Sequence, residues 1–214
     1  MESYTLQVTA VIAKASLVTL QLLFLTIVFS TPLGLLVALG KLSKIKLLKG
    51  ILDFYTYIIR GTPLLLQILF VYFGLPTIGI RLDSFTAALL ALVVNYTAYL
   101  AEIMRAGIQS IDKGQYEAAK VLGLDYQQTM KRIVVPQALK VVAPPICNEY
   151  IVLIKDTALV SVIGMQELLR ATKEIVARDF TMIPFFIAAV IYLIITAFFT
   201  TIFNRLEKKL SIYD

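Results

Sequence analysis

The sequence predicts an all-α integral membrane protein of five transmembrane helices, and three observations carry that prediction. Apolar residues make up 59% of the 214 and charged residues only 16%, and mean hydropathy is +0.83, outside the range of ordinary soluble domains. The apolar residues are gathered into runs of about twenty, the length that crosses a hydrocarbon core of roughly 30 Å. The basic residues fall on alternate sides of those runs, as short cytoplasmic loops require.

Four runs are free of charge: Ala15–Gly40, Gly61–Ile80, Ser84–Ala101 and Phe180–Asn204. A fifth, Val141–Gln166, opens near Pro144-Pro145 and carries Glu149, Lys155 and Asp156. The first run is too long for the core of a signal peptide and ends without a small-residue cleavage site, so it is read as a retained span. Lys41, Lys44, Lys46, Lys49 and Arg60 follow the first span, and Arg105, Lys113, Lys120, Lys131, Arg132 and Lys140 the third. Arg205, Lys208 and Lys209 follow the fifth. These fourteen of the 20 Lys and Arg residues place the N-terminus outside and the C-terminus in the cytoplasm. The net charge of +6 then reflects topology and anionic headgroups rather than nucleic acid.

Several chemistries are excluded. With no histidine and a single cysteine, Cys147, the usual metal clusters and Ser-His or Cys-His pairs cannot be built. No catalytic or metal-binding residue is expected. The chain also lacks G-x-x-x-x-G-K-[ST], so it binds no nucleotide through a phosphate loop of its own.

In chain order, Met1–Lys14 reads as a bland external lead. The first span carries Pro32 and Gly34, where a kink or a close helix contact is expected. Lys41–Arg60 alternates basic and apolar residues, the pattern of a helix lying at the interface before turning inward. Arg60-Gly61-Thr62-Pro63 then breaks the chain, with Thr62 a cap and Pro63 the first helical position. The second span runs from there to about Gly74, and Leu75–Asp83 is a tight external turn. In the third span Asn95, Tyr99 and Glu102 share a face at i, i+4 and i+7. Glu102 lies three residues before Arg105, so a local ion pair competes there with substrate contact. At Asn95 an interhelical hydrogen bond is the competing role.

Gly114–Gln137 is the one long polar segment. Asp112 precedes Gln115 by three and Asp125 precedes Gln128 by three, two candidate capping boxes, with Gly123 at the left-handed position between two short helices. The first of these places Tyr116, Ala119 and Gly123 on one face beside Glu117 and Lys120, a docking shape in which the alanines permit close approach. Periodicity alone leaves an ordinary amphipathic loop on the headgroups equally open.

Glu117-Ala118-Ala119, with Gly123 four residues on and then Ile133 and Pro136, resembles the EAA motif of ABC importer membrane subunits. Arg60-Gly61-Thr62-Pro63-Leu64-Leu65, the run Ala101–Ile108 (AEIMRAGI), Gly114-Gln115, Pro136-Gln137-Ala138 and Lys155-Asp156-Thr157-Ala158-Leu159 are similar to the polar amino acid branch of that family. Ala158 stands where that branch usually has serine, and Val135 where leucine is common. The resemblance implies a single permease domain over residues 1–214 with the type I importer fold and a coupling segment at about 107–140. It implies a multi-pass protein of a bacterial-type cell membrane, a transport subunit rather than an enzyme. A second permease chain, identical or similar, a cytoplasmic ABC ATPase dimer that binds the ATP, and an external solute-binding protein are the implied partners. No cofactor is expected in the chain itself. Glu117, Ala118, Ala119 and Gly123 would couple to the ATPase.

Substrate contact is expected at Glu149 and Asp156, seven apart on one helix face, with Asn95, Glu102 and Asn148 as further candidates. Two carboxylates in a membrane segment are costly unless they meet a cation or water, and together they could read an ammonium or guanidinium. Lys155 is the competing partner for Asp156. The implied substrate is a polar amino acid, a cationic one such as arginine, lysine or histidine before glutamine. An ATP-independent channel or secondary transporter is the alternative, although no repeat of spans of the kind common in secondary transporters is visible.

Overall fold

The computed structural model describes residues 2–211, and among them every regular element is helical. Helix α1 (Glu2–Leu42) is unbroken through Pro32 and, at 1.5 Å per residue, about 60 Å long. It is followed by α2 (Lys46–Gly61) and the short α3 (Leu64–Leu69), which passes through a wide π-type turn and a tight 3-10 turn to Ile78. Next come α4 (Ser84–Gln109), α5 (Lys113–Val121) and α6 (Tyr126–Thr129). The chain ends with α7 (Val135–Asp156), α8 (Leu168–Asp179) and α9 (Ile183–Ser211). Helices α1, α4 and α9 are each long and apolar enough to cross a membrane, and α2 with Leu64–Ile78 forms a pair bent by 104° that counts as a fourth only if taken as one broken span.

Helix directions follow from which residues meet. Leu22 and Leu23 of α1 join a core with Ala88, Ala91 and Leu92 of α4. Further along both helices, a Cβ on Gly34 would lie 2.9 Å from the Cβ of Leu100, so α1 and α4 run parallel in close contact. Glycine is needed at position 34 because the α4 backbone passes beside it. Helix α9 runs the same way: Ala188 meets Ile12 and Leu168, and Phe203 meets Ala38 and Tyr150. Helix α7 runs against α4, with Val142 at Gly107 and Asp156 at Tyr96. The α2–α3 pair also opposes α4, since Thr56 bonds Glu102 at 3.1 Å and Gln67 bonds Asn95 at 2.9 Å.

Three sequence expectations change. The N-terminal lead is helical, not bland: Val8 and Ile12 are buried against Leu168, Ile175 and Ala188, and the Tyr4 hydroxyl donates to Asp179 at 2.8 Å. Apolar residues spaced one turn apart make this lead one continuous helix with the first span, a continuity that Lys14 disguised. The Arg178 hydrogen bond, with that of Tyr4, holds the Asp179 carboxyl down at about 2. Helix α2 lies at 104° to Leu64–Ile78, in keeping with a helix at the interface that then turns inward, and it touches α4 where Thr56 is buried, Tyr55 donates to the Val94 carbonyl at 2.6 Å, and the Arg60 guanidinium lies 5.4 Å over the Tyr99 ring. Arg60 stands in the last turn of α2, at the break, rather than in a loop. Thr62 does not cap α3, whose N-cap is Pro63 without a side-chain bond; the Thr62 hydroxyl turns back to the Ile58 carbonyl at 2.9 Å. Finally, Leu75–Asp83 is not one tight turn but a 3-10 turn ending at left-handed Gly79, φ 89°, followed by Asp83, which caps α4 through Phe85 and Thr86.

Candidate functional site

The break between α2 and α3, the middle of α4 and the second half of α7 enclose a cleft of about 490 Å³ lined by Arg60, Thr62, Asn95, Tyr96, Tyr99, Glu149 and Asp156, among others. Its charges are of both signs. Glu149 and Asp156 reach it together because seven residues bring a side chain back to the same face of α7. The helix ends at Asp156, where a 3-10 turn takes over, and the Tyr96 hydroxyl donates to Asp156 Oδ2 at 2.8 Å. Lys155, the expected competitor, is exposed, and no ion pair within 4.0 Å joins it to Asp156 among the described residues. Arg60 enters from the opposite wall, stacked on Tyr99.

Asn95 lines the cleft too, yet its amide donates to Gln67 Oε1 at 2.9 Å, so it is also an interhelical bond. Glu102 and Asn148 do not line it. Glu102 is held by Lys41, by Thr56 at 3.1 Å and by Arg105 at 2.7 Å, with Arg60 Nη1 at 3.9 Å. Lys41 also meets Asp53 at 3.0 Å, making a five-residue ionic cluster that ties α1, α2 and α4 together. Asn148 is exposed on α7 beside Pro144 and Pro145. Sequence reasoning missed Arg60, Tyr96 and Gln67 as site residues. A basic residue and a Gly-Thr-Pro break just before an apolar run were the signal for Arg60; Tyr96 and Gln67 carried none.

The polar segment forms a second candidate surface. Asp112 caps α5 through the Gly114 N–H at 2.6 Å, but Gln115 does not reciprocate and instead accepts from Gln137 at 3.3 Å. The box at α6 is complete: Gln128 N–H donates to Asp125 at 2.8 Å and Asp125 N–H to Gln128 at 3.1 Å. Between them Gly123 has φ 76°, its N–H bonds the Lys120 carbonyl, and the Leu124 N–H bonds that of Ala119. This is the glycine-closed helix end in which a left-handed residue satisfies the last carbonyls. Ala119 is buried in the chain's own fold, whereas Glu117 and Ala118 are exposed. Val121, Leu122 and Tyr126 are 87%, 77% and 73% exposed, three apolar side chains within six positions of an otherwise polar segment, and contiguous exposed apolar surface is what partner sites use. Ile111, Val134 and Ala138 anchor the segment to the ends of α4 and α7.

Residues 30–212 match the family described as binding-protein-dependent transport system inner membrane component. The chain is 42% identical to the arginine transport system permease protein ArtQ of Bacillus subtilis, covering 92% of this chain and 91% of that protein. It is 39% identical to the L-cystine transport system permease protein TcyB of the same organism, covering 91% and 84%. Identity to the putative glutamine transport system permease protein GlnP of Rickettsia bellii is 37%, covering 94% and 93%. The fold is similar to a chain in the crystal structure of an amino acid ABC transporter with histidines, with a TM-score of 0.89, 40% identity and coverage of 95% and 96%. It also resembles a chain of the inward-facing MetNI methionine ABC transporter, with a TM-score of 0.74 at 18% identity and coverage of 94% and 96%, a likeness of fold alone.

Proposed function

Since the chain belongs to the family of inner membrane components of binding-protein-dependent transport systems, and is a multi-pass amino acid ABC transporter permease subunit, we propose that it imports a cationic amino acid through the cleft between α2–α3, α4 and α7. One observation supports this above the rest: Arg60 stands across a single cleft from Glu149 and Asp156. An amino acid with a basic side chain carries one carboxylate and two cationic groups. The cleft offers the complement, a guanidinium suited to a carboxylate and two carboxylates for the ammonium and side-chain cation. Glu149 has no hydrogen bond or ion pair among the described residues, so it is free to take a ligand.

Movement of the substrate follows from two arrangements of the permease pair with different affinity. Two permease chains sit on a cytoplasmic ATPase dimer that binds and hydrolyses ATP, and an external binding protein delivers the amino acid. The contact with the ATPase is Glu117, Ala118, Val121, Leu122 and Tyr126, with Gly123 setting the turn and Ala119 seating the segment on its own chain. Five passes, N-terminus outside and C-terminus inside, agree with the alternating helix directions, provided that α2–α3 and α7 each count as one pass.

The test is uptake by the reconstituted complex. Glu149→Gln is expected to raise KM for arginine or lysine roughly tenfold, the effect of losing one charge contact of about 1.4 kcal/mol, with glutamine uptake unaffected. Unchanged uptake of every cationic amino acid, or a wild type that carries only glutamine, would remove the cationic assignment.

A further inference from the structure

Pro63 interrupts the α2–α3 pair, and its missing N–H is the one that would have bonded the Ile59 carbonyl four residues earlier. Within a membrane an unmatched carbonyl is costly. The structure shows the substitute: Gln67 Nε2 donates to the Ile59 carbonyl at 2.7 Å, and it also lies 2.8 Å from the Thr62 hydroxyl and 3.2 Å from the Thr62 carbonyl. Its other end accepts from Asn95 at 2.9 Å. One side chain thus closes the broken helix on itself and fastens it to α4. Ile59 and Thr62 flank Arg60, so the same bonds fix the backbone from which Arg60 reaches over Tyr99 into the cleft.

We propose that Gln67 is a positioning residue for substrate selection: it stands in for the donor that Pro63 lacks and thereby holds Arg60 where it meets the substrate carboxylate. The inference rests on the cleft reading of the preceding subsection. Gln67 touches no substrate; its effect passes through Arg60. Loss of its donor leaves the Ile59 carbonyl unmatched, the break repacks, and the carboxylate end of the cleft loses its shape. The carboxylate-lined end on α7 is untouched.

That asymmetry supplies the experiment. Binding of arginine, and of agmatine, which is arginine without its carboxylate, is measured by calorimetry on the purified permease–ATPase complex in nanodiscs. Wild type is expected to prefer arginine. Gln67→Glu, which keeps the size and the acceptor for Asn95 but removes the donor, is expected to weaken arginine about tenfold and to leave agmatine within twofold. Gln67→Leu and Arg60→Gln are expected to give the same pattern. Agmatine binding serves as the folding control in each variant. A parallel fall for both ligands in the Gln67 variants, or an intact preference for arginine, overturns the role of Gln67 while Arg60→Gln still tests the cleft. A wild type that binds the two ligands equally, or binds neither, overturns the cleft reading and the inference with it.

Discussion

Glu102 and Glu149 are two carboxylates with opposite surroundings. Glu102 is surrounded by Lys41, Arg105 and Thr56, and the Lys41 side chain is only 4% exposed. Glu149 faces a cleft with no hydrogen-bonded or ion-paired partner among the described residues. Removing one member of a buried ionic cluster strands the others, at a cost of about 3 kcal/mol. Glu102→Ala should therefore lower stability by about that amount, followed by denaturant titration of the purified protein. Glu149→Gln should leave stability within about 0.5 kcal/mol while weakening substrate binding. Equal stability losses in the two variants would mean that Glu149 belongs to a structural network. The sequence showed the Glu102–Arg105 pair because it is local. It could not show Lys41, since a contact across 61 positions depends on α1 and α4 running parallel, and periodicity carries no such information. The same holds for Gln67, an uncharged side chain whose meaning lies in a carbonyl eight residues away across a bend.

The α5–Gly123–α6 unit was the most legible element, because caps and glycine ends are written in short-range chemistry. Asp125 and Gln128 cap as their spacing requires, and Gly123 is left-handed. What spacing could not supply was which side of α5 the fold uses up. Ala119 turns inward because Tyr116, two residues before the exposed Ala118, packs on Ile111, Val134 and Ala138; the outward face passes instead to Val121, Leu122 and Tyr126. Gly123→Pro removes both the N–H that bonds Lys120 and the positive φ, which proline at about −65° cannot adopt. The variant is expected to insert and to keep its substrate cleft, but to lose at least tenfold in ATP-driven uptake while the ATPase continues to turn over. Wild-type uptake by this variant would separate the turn from coupling. Leu122→Asp, on the exposed patch, should reduce co-purification of the ATPase without changing the turn.

At the scale of the whole chain, hydropathy found the apolar runs but not their shape. Composition does not distinguish a straight span from two segments at 104°, because the bend is set by Gly61 and Pro63 rather than by the apolar residues around them. Nor do length and hydropathy by themselves make α7 a span, because Glu149, Lys155 and Asp156 interrupt the run that the sequence reading takes as the fifth. Helix direction is consistent with the proposed five passes. With α1, α4 and α9 running one way and α2–α3 and α7 the other, the proposed five passes would put Ile78 and Phe180 on one side and Leu122 on the opposite side. In that proposal the basic residues after α4 and at the end of α9 assign the Leu122 side to the cytoplasm. All three positions are more than 70% exposed, so each is open to labelling. In a Cys147→Ser background, Ile78→Cys and Phe180→Cys should react with an impermeant maleimide in right-side-out vesicles. Leu122→Cys should react only in inside-out vesicles stripped of the ATPase. Labelling of Leu122→Cys from outside would invert the orientation, and protection of Ile78→Cys from outside would show that the broken α2–α3 pair returns to the side it entered from and that the chain makes fewer than five passes.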